Sequence, residues 1–345
     1  MRPTDLRPRP GRGVSADAPG VGHAHGKAIL LGEHAVVYGA PALVLPLPRL
    51  TVTATATRFP GTNSGPDRIT VAVGEPGWAA VTPVAVGGPG RAAVTPVATD
   101  GLRHLVTEFK KLAGRTGGLC ADIVIESAVP PSRGLGSSAA CGRAAALALV
   151  EAYGHRLDPG QVYDLVQSSE RVAHGRASGI DAVATGAASL LVFRSGTAGE
   201  LPHGHPRATF VIGDSGAPGN TKEAVALVAR RPSRCDAFVD QVAALTTRAL
   251  GDLDRGDLPG FGGRLTENHR LLHELGVSTP RIDSLVQAAL NSGALGAKLT
   301  GGGLGGCMLA MTDEPTAAEQ VAAALRAAGA ERTWIVRMPG TASHD

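Results

Sequence analysis

The stretch Pro130-Pro131-Ser132-Arg133-Gly134-Leu135-Gly136-Ser137-Ser138-Ala139-Ala140 carries the strongest fold signal in this chain. It follows an apolar run, Ala121–Glu126, with the character of a strand. It opens an Ala-rich segment, Ala139–Tyr153, that is apolar nearly all round and so predicts a buried helix. Two glycines two residues apart let a backbone approach a ligand closely. The helix start adds unpaired N–H groups and the positive end of the helix dipole. Together these make an anion site suited to polyphosphate, and a serine hydroxyl there can ligate magnesium. The plainer alternative is a tight turn with Ser137 as an N-cap.

Two better-known glycine motifs are excluded. Gly134-x-Gly136-x-x-Ala139 matches a loose dinucleotide fingerprint, as do Gly301-x-Gly303-x-x-Gly306 and Gly11-x-Gly13-x-x-Ala16. However, the helix after Gly136 is followed by a second helix, predicted from Pro159 to His174, and not by a parallel strand. No acidic residue at a strand end follows about 20 residues on. Gly22-His23-Ala24-His25-Gly26-Lys27-Ala28 nearly fits a P-loop, but it is one residue short between the glycines and has Ala28 where Ser or Thr would hold magnesium.

Outward from the motif, strands are predicted at Lys27–Leu31, Leu50–Thr57, Ser189–Phe193, Thr209–Ile212, Gly306–Met311 and Thr333–Arg337. Helices are predicted at 101–113, 221–231, 233–250, 258–275, 280–291 and 315–328. Strands and helices alternate in both halves, which predicts a mixed α and β architecture. Residues 195–206 read as the linker. Residues 1–20 are Arg-, Pro- and Gly-rich and predict a disordered tail. The heptamer Ala79–Ala85 recurs letter for letter at Ala92–Ala98, which reads as an expanded loop over 74–98 and not as a solenoid.

The 345 residues are 43% hydrophobic and 18% charged, a globular composition, but only 3% aromatic, so Ala, Val and Leu must build the core. Few aromatics argue against a base-stacking nucleic-acid binder. The net charge of +3 lies mostly in the tail, where four arginines face two aspartates, so no basic face for nucleic acid is implied. Cys120, Cys141, Cys235 and Cys307 form no CxxC pair and read as buried thiols in a reducing compartment. No apolar run reaches membrane-spanning length, and no signal-peptide core follows the basic N-terminus, so a cytoplasmic protein is expected.

PPSRGLGSSAA resembles the central motif of the GHMP kinases, named for galacto-, homoserine, mevalonate and phosphomevalonate kinases. Gly26–Gly39 (GKAILLGEHAVVYG) is similar to that family's first motif, and Lys298–Cys307 (KLTGGGLGGC) to its glycine-rich third. Within the family, GEHAVVYG and the segment Glu170–Asp181 are similar to the mevalonate kinase branch. The resemblance spans about residues 21 to 340. It implies an α+β fold of two domains, a ribosomal S5 domain 2-like one over 21–200 and a ferredoxin-like one over 201–345, with ATP and substrate between them. It implies ATP-dependent phosphorylation of mevalonate, with kinases for phosphomevalonate or homoserine, or a non-catalytic sensor of the same fold, as the alternatives. Monomer and homodimer both remain open.

By the same resemblance, Pro131, Arg133, Gly134, Leu135, Gly136, Ser137, Ser138, Ala139 and Ala140 would hold the phosphates of ATP. Ser138 and Glu170 would ligate Mg2+. Asp181 would take the proton of the substrate hydroxyl, with Lys27 beside it. Glu33, His34, Thr221, Gly302 and Gly303 would join Lys27 and Asp181 around the substrate. The chemistry suits these roles: a hard cation wants oxygen ligands, and a positioned carboxylate can accept a hydroxyl proton. Positioning and charge do most of the work in phosphoryl transfer. Read on residues alone, Asp181 fits a helix-capping residue, Glu170 a solvated helix charge and Asn220 a simple cap before Thr221-Lys222. Glu170 and His174, four apart, form a conceivable transition-metal pair that lacks a third ligand. Lys27, in an apolar strand, requires a partner. Leu304 departs from the small residues usual in the third motif.

Overall fold

The computed structural model describes residues 18–59, 68–76, 99–175, 177–194, 196–201, 208–230 and 232–338. The proposed tail up to residue 17, the 79–98 repeat and half of the proposed linker (195 and 202–206) lie outside these residues.

Two sheets organise the chain. The first contains β1 (Gly20–Leu31), β2 (Ala42–Arg58), β3 (Arg68–Gly74), β4 (Cys120–Ser127), β5 (Leu191–Arg194) and β6 (Thr197–Glu200), in the order β3-β4-β2-β5-β6 with β1 also on β2. Among the described residues, β3 and β4 pair in parallel and the other pairs of this sheet are antiparallel. The second contains β7 (Thr209–Asp214), β8 (Gly296–Thr300), β9 (Cys307–Thr312) and β10 (Arg332–Arg337), in the order β10-β7-β9-β8 and antiparallel throughout. The strands of the second sheet are joined by helices after β7 and between β9 and β10. The whole is an α+β fold.

β1 begins at Gly20, seven residues before the predicted start at Lys27. Its N-terminal half carries glycines because a helix lies on them. A Cβ at Gly22 would meet the Ala144 carbonyl at 2.0 Å, and one at Gly20 the Ala148 carbonyl at 2.2 Å. That helix, α2 (Ser137–Ala152), is the Ala-rich one, buried at eleven positions, and its small side chains permit the close approach. Before it comes α1 (Thr99–Leu112).

β2 is long because it serves two partners in succession. Val52–Arg58 pairs with β4, whereas Ala42–Val44 pairs with β5. The register against β1 slips between His25 and Gly26, leaving Pro48, Arg49 and Leu50 without partners there. Proline lacks an N–H and is tolerated at such a bulge.

The predicted linker needs correction: Thr197–Glu200 is β6, hydrogen-bonded to β5. Sequence reading also missed β3, β8 and a short helix at Ile180–Ala184. By contrast, Pro159–His174, Leu258–Leu275 and Pro280–Asn291 agree with their predicted helices. All four cysteines are buried and free. No helix among the described residues is long and apolar enough to cross a membrane.

Candidate active site

β1 and the glycine loop meet at Lys27. The outer edge of β1 is taken up by two loop carbonyls: His25 N donates to Thr185 O at 3.1 Å and Lys27 N to Leu135 O at 3.0 Å. The bulge on β2 lies opposite this point. Lys27 is nearly buried, and its Nζ reaches Asp181 Oδ1 at 3.0 Å and Gly134 O at 3.2 Å. The partner that an apolar-strand lysine demanded is therefore Asp181.

Asp181 lies in the first turn of α4 (Ile180–Ala184), whose N-cap is Gly179 with φ 94°. It is not itself the cap. Its carboxylate is about one-third exposed, open to the cavity that it lines.

Gly136 precedes α2 with φ 76° and makes no side-chain cap. A Cβ there would sit 3.0 Å from Lys27 Cγ, so glycine meets both a backbone and a packing requirement. Ser137 is not the N-cap of the plainer reading. It is buried, and its Oγ lies 3.4 Å from Val129 O. Ser138 Oγ donates to Glu170 Oε1 at 2.6 Å. Glu170 lies near the end of α3 (Pro159–His174), a helix fixed at its start by the reciprocal Asp158–Gln161 capping box. Burial pushes the Glu170 carboxyl up to about 7, and the nearby Asp181 charge adds to the rise. His174 Nε2 stands 3.8 Å from Glu170 Oε2, and burial lowers its pKa, so it adds little positive charge at neutral pH. Among the described residues, no group of three or more His, Cys, Asp or Glu side chains is placed to share a metal ion.

Lys27, Glu33, His34, Gly134, Glu170, Asp181, Thr221 and Gly302 line one cavity of about 130 Å³. Ile29, Val36, Val37, Ile180 and Val225 give it an apolar side. His34 is buried, with Nε2 2.9 Å from Gly302 O. Burial lowers it to about 4, so the ring is neutral at physiological pH, and Nε2 donates to the carbonyl while Nδ1 keeps a lone pair.

One site feature was not foreseen. Glu33 Oε1 pairs with Lys298 Nζ, both side chains fully buried. Lys298 Nζ also donates to Leu299 O at 2.6 Å and to Ile29 O at 3.4 Å, tying β8 to β1. Burial raises the Glu33 carboxyl and lowers the Lys298 ammonium, each opposed by the other's charge. Glu33 Oε2 and Gln167 Oε1 are buried without a protein partner, and both residues line the cavity. A buried orphan oxygen is costly unless a ligand or water satisfies it. The signal for Lys298 was present in the sequence: like Lys27, it is a lysine within an apolar run.

The remaining expected residues lie outside the cavity lining. Leu135, Ala139 and Ala140 are core side chains. Pro131 is exposed. Gly303 accepts Asn220 N at 3.3 Å, and a Cβ on it would strike Val277 O. Asn220 caps the helix Thr221–Ala229 by accepting Glu223 N, as the plainer reading expects, and Thr221 lines the cavity. Arg133 turns its guanidinium to Asp214, with Nε 2.8 Å from Oδ1.

Known proteins are similar to this chain in sequence and fold. The sequence pattern of the GHMP kinases N terminal domain matches residues 102–189, and that of the GHMP kinases C terminal region matches residues 249–331. A mevalonate kinase of Pyrococcus horikoshii is 33% identical over 317 residues, 89% of this chain and 92% of that protein. One from Aeropyrum pernix is 32% identical, over 88% of this chain and 90% of that protein. The crystal structure of L. major mevalonate kinase in complex with R-mevalonate superposes with a TM-score of 0.75 at 25% identity, covering 96% of this chain and 99% of that one. The fold and these matches define a small-molecule kinase, and the chain belongs to the GHMP kinase family. Within that family it belongs with the mevalonate kinases.

Proposed function

We propose that the chain transfers the γ-phosphoryl group of ATP to the 5-hydroxyl of (R)-mevalonate, giving 5-phosphomevalonate and ADP, an early step of isoprenoid synthesis in the cytoplasm. The observation that carries this reading is the Lys27–Asp181 pair, 3.0 Å apart on one cavity wall and joined through Gly134 to the glycine loop before α2.

The substrate oxygen attacks the γ-phosphorus as the bond to the ADP oxygen breaks, and the hydroxyl proton passes to the Asp181 carboxylate. Lys27 holds that carboxylate in place and supplies positive charge beside the transferring group. The bare amides at the start of α2 and the loop Gly134–Ala140 take the phosphates. The apolar side made by Ile29, Val36, Val37, Ile180 and Val225 suits the substrate's methyl-bearing carbon chain. Glu33, His34, Thr221 and Gly302 supply polar contacts, and the orphan Glu33 oxygen has room for a hydroxyl donor.

The Ser138–Glu170 oxygen pair fits Mg2+: both donors are hard, they are already adjacent, and a carboxylate this buried gains from a cation. Held by Ser138 and Glu170, the ion would offset the charge of the ATP phosphates. Residues 21–200 and 201–345 serve as the two domains, one sheet falling in each.

A coupled assay for ADP release, run with MgATP against mevalonate, phosphomevalonate, homoserine and galactose, tests the proposal. Mevalonate should be turned over and the others should not. Preferred turnover of any other substrate would overturn the assignment.

A further inference from the structure

The glycine loop is docked through its carbonyls. Four consecutive ones are each held by a donor from elsewhere in the chain. Ser132 O accepts Gly219 N at 2.7 Å, Arg133 O accepts Cys307 N at 3.2 Å, Gly134 O accepts Lys27 Nζ at 3.2 Å and Leu135 O accepts Lys27 N at 3.0 Å. The loop also packs backbone against backbone on the third motif. A Cβ at Gly301 would lie 2.6 Å from Gly134 Cα, and one at Gly306 2.9 Å from Arg133 O.

One side chain reinforces this junction. Arg133 Nε lies 2.8 Å from Asp214 Oδ1 and 3.0 Å from Oδ2, and Nη2 donates to Gly216 O at 3.1 Å. Glu331 Oε2 stands 3.8 Å from the same Nη2. Asp214 is the last residue of β7, its side chain 3% exposed, and its Oδ1 also accepts Gly216 N at 2.9 Å. Both carboxylate oxygens of Asp214 thus face the guanidinium. An arginine committed in this way to a buried acid on the second sheet has little left to offer a phosphate.

We propose that Arg133 is a positioning residue and not a phosphate ligand: with Asp214 it clamps the glycine loop onto the second sheet and sets where the loop's bare amides meet ATP. The inference rests on the reading that Gly134–Ala140 holds the ATP phosphates. The peptide of Arg133 directly precedes Gly134, so releasing the guanidinium frees the loop at the point where it begins to face the nucleotide. A misplacement of about 1 Å there is enough to cost on the order of 10²-fold in a positioned reaction.

The test compares Arg133→Gln, Asp214→Asn and the double variant by steady-state kinetics and by amide hydrogen exchange of residues 132–140 in nucleotide-free protein. Either single substitution should raise the KM for ATP by roughly 10-fold to 10²-fold and leave the KM for mevalonate unchanged. The double variant should be no worse than the worse single one, because both remove the same contact. Exchange over 132–140 should be faster without any nucleotide present, a change that loss of a phosphate ligand would not produce. If Arg133→Gln leaves Asp214 as a lone buried charge and the protein does not fold, the double variant, which removes both charges, is read for the same two signals. Additive effects, a silent Asp214→Asn, or unchanged exchange over 132–140 overturn the clamp. The exchange measurement judges the clamp even if the wild-type protein shows no turnover with ATP, an outcome that would sink the functional reading instead.

Discussion

Glu170 shows how one residue's burial becomes a property of the enzyme. Its carboxyl is lifted to about 7 by burial and by the Asp181 charge, so with Mg2+ bound there as proposed, the ion competes with a proton near neutral pH. Below that pH the protonated form dominates and competes with Mg2+; above it the carboxylate is free to bind. The Mg2+ concentration for half-maximal rate should therefore rise as the assay is taken from about pH 8 to about pH 6. In Glu170→Gln it should be higher throughout and lose most of this pH dependence. A Mg2+ titration of the variant that overlays the wild type at both ends of the range would remove Glu170 from the metal site. A second residue-scale prediction concerns Lys298. Removing it leaves Glu33 as an uncompensated charge in a fully buried setting. Lys298→Met should cost about 3–5 kcal/mol in urea unfolding, and adding Glu33→Leu should recover much of that loss. Equal stability of the single and double variants would show that the pair is not coupled in this way.

At the scale of elements, the contact between β1 and α2 builds the site, since it brings Lys27 to the start of the helix. Gly22 allows that contact, and a side chain there must push the helix away from the strand. Gly22→Val should lower stability by at least about 1–3 kcal/mol, the usual cost of overpacking, and should also reduce turnover because Lys27 moves with β1. An unchanged unfolding midpoint would mean that the strand and helix are less tightly docked. The same contact explains what was legible in the sequence. Helices starting after Asp158, Asp257 and Thr279 carry a capping side chain and an early proline, both local signals, and their ends agree. The first half of β1 reads GVGHAHG, with none of the β-branched alternation of a strand, because its glycines answer to α2 and not to the sheet. β8, GAKLT, is buried at every position and has no alternation to detect. The helix holding Asp181 is five residues long, too short for periodicity to show. Of the residues that line the cavity, Lys27, Glu33, His34, Glu170 and Asp181 were picked out in the sequence because they belong to motifs. The Arg133–Asp214 contact was not legible, because Asp214 lies 81 positions away and only the folded chain brings the two together.

At the scale of the whole molecule, the cavity draws walls from both halves of the chain. Lys27 lies on β1, Glu33 and His34 in the turn that follows it, and Glu170 and Asp181 on α3 and α4, whereas Thr221, Gly301 and Gly302 come from the second half. The Lys298–Glu33 and Arg133–Asp214 pairs join the two halves. All of this converges on one carboxylate. The most direct measurement is turnover of mevalonate by Asp181→Asn at saturating MgATP, with nucleotide affinity followed separately by equilibrium titration. Asparagine is nearly isosteric and keeps a hydrogen-bond acceptor for Lys27, but it cannot serve as the base. The account predicts a folded protein that binds ATP as the wild type does and turns over roughly 10²- to 10⁴-fold more slowly. Near-normal turnover by Asp181→Asn would contradict it, leaving the hydroxyl proton to go to the phosphate or to water and the cavity to work by charge and position alone.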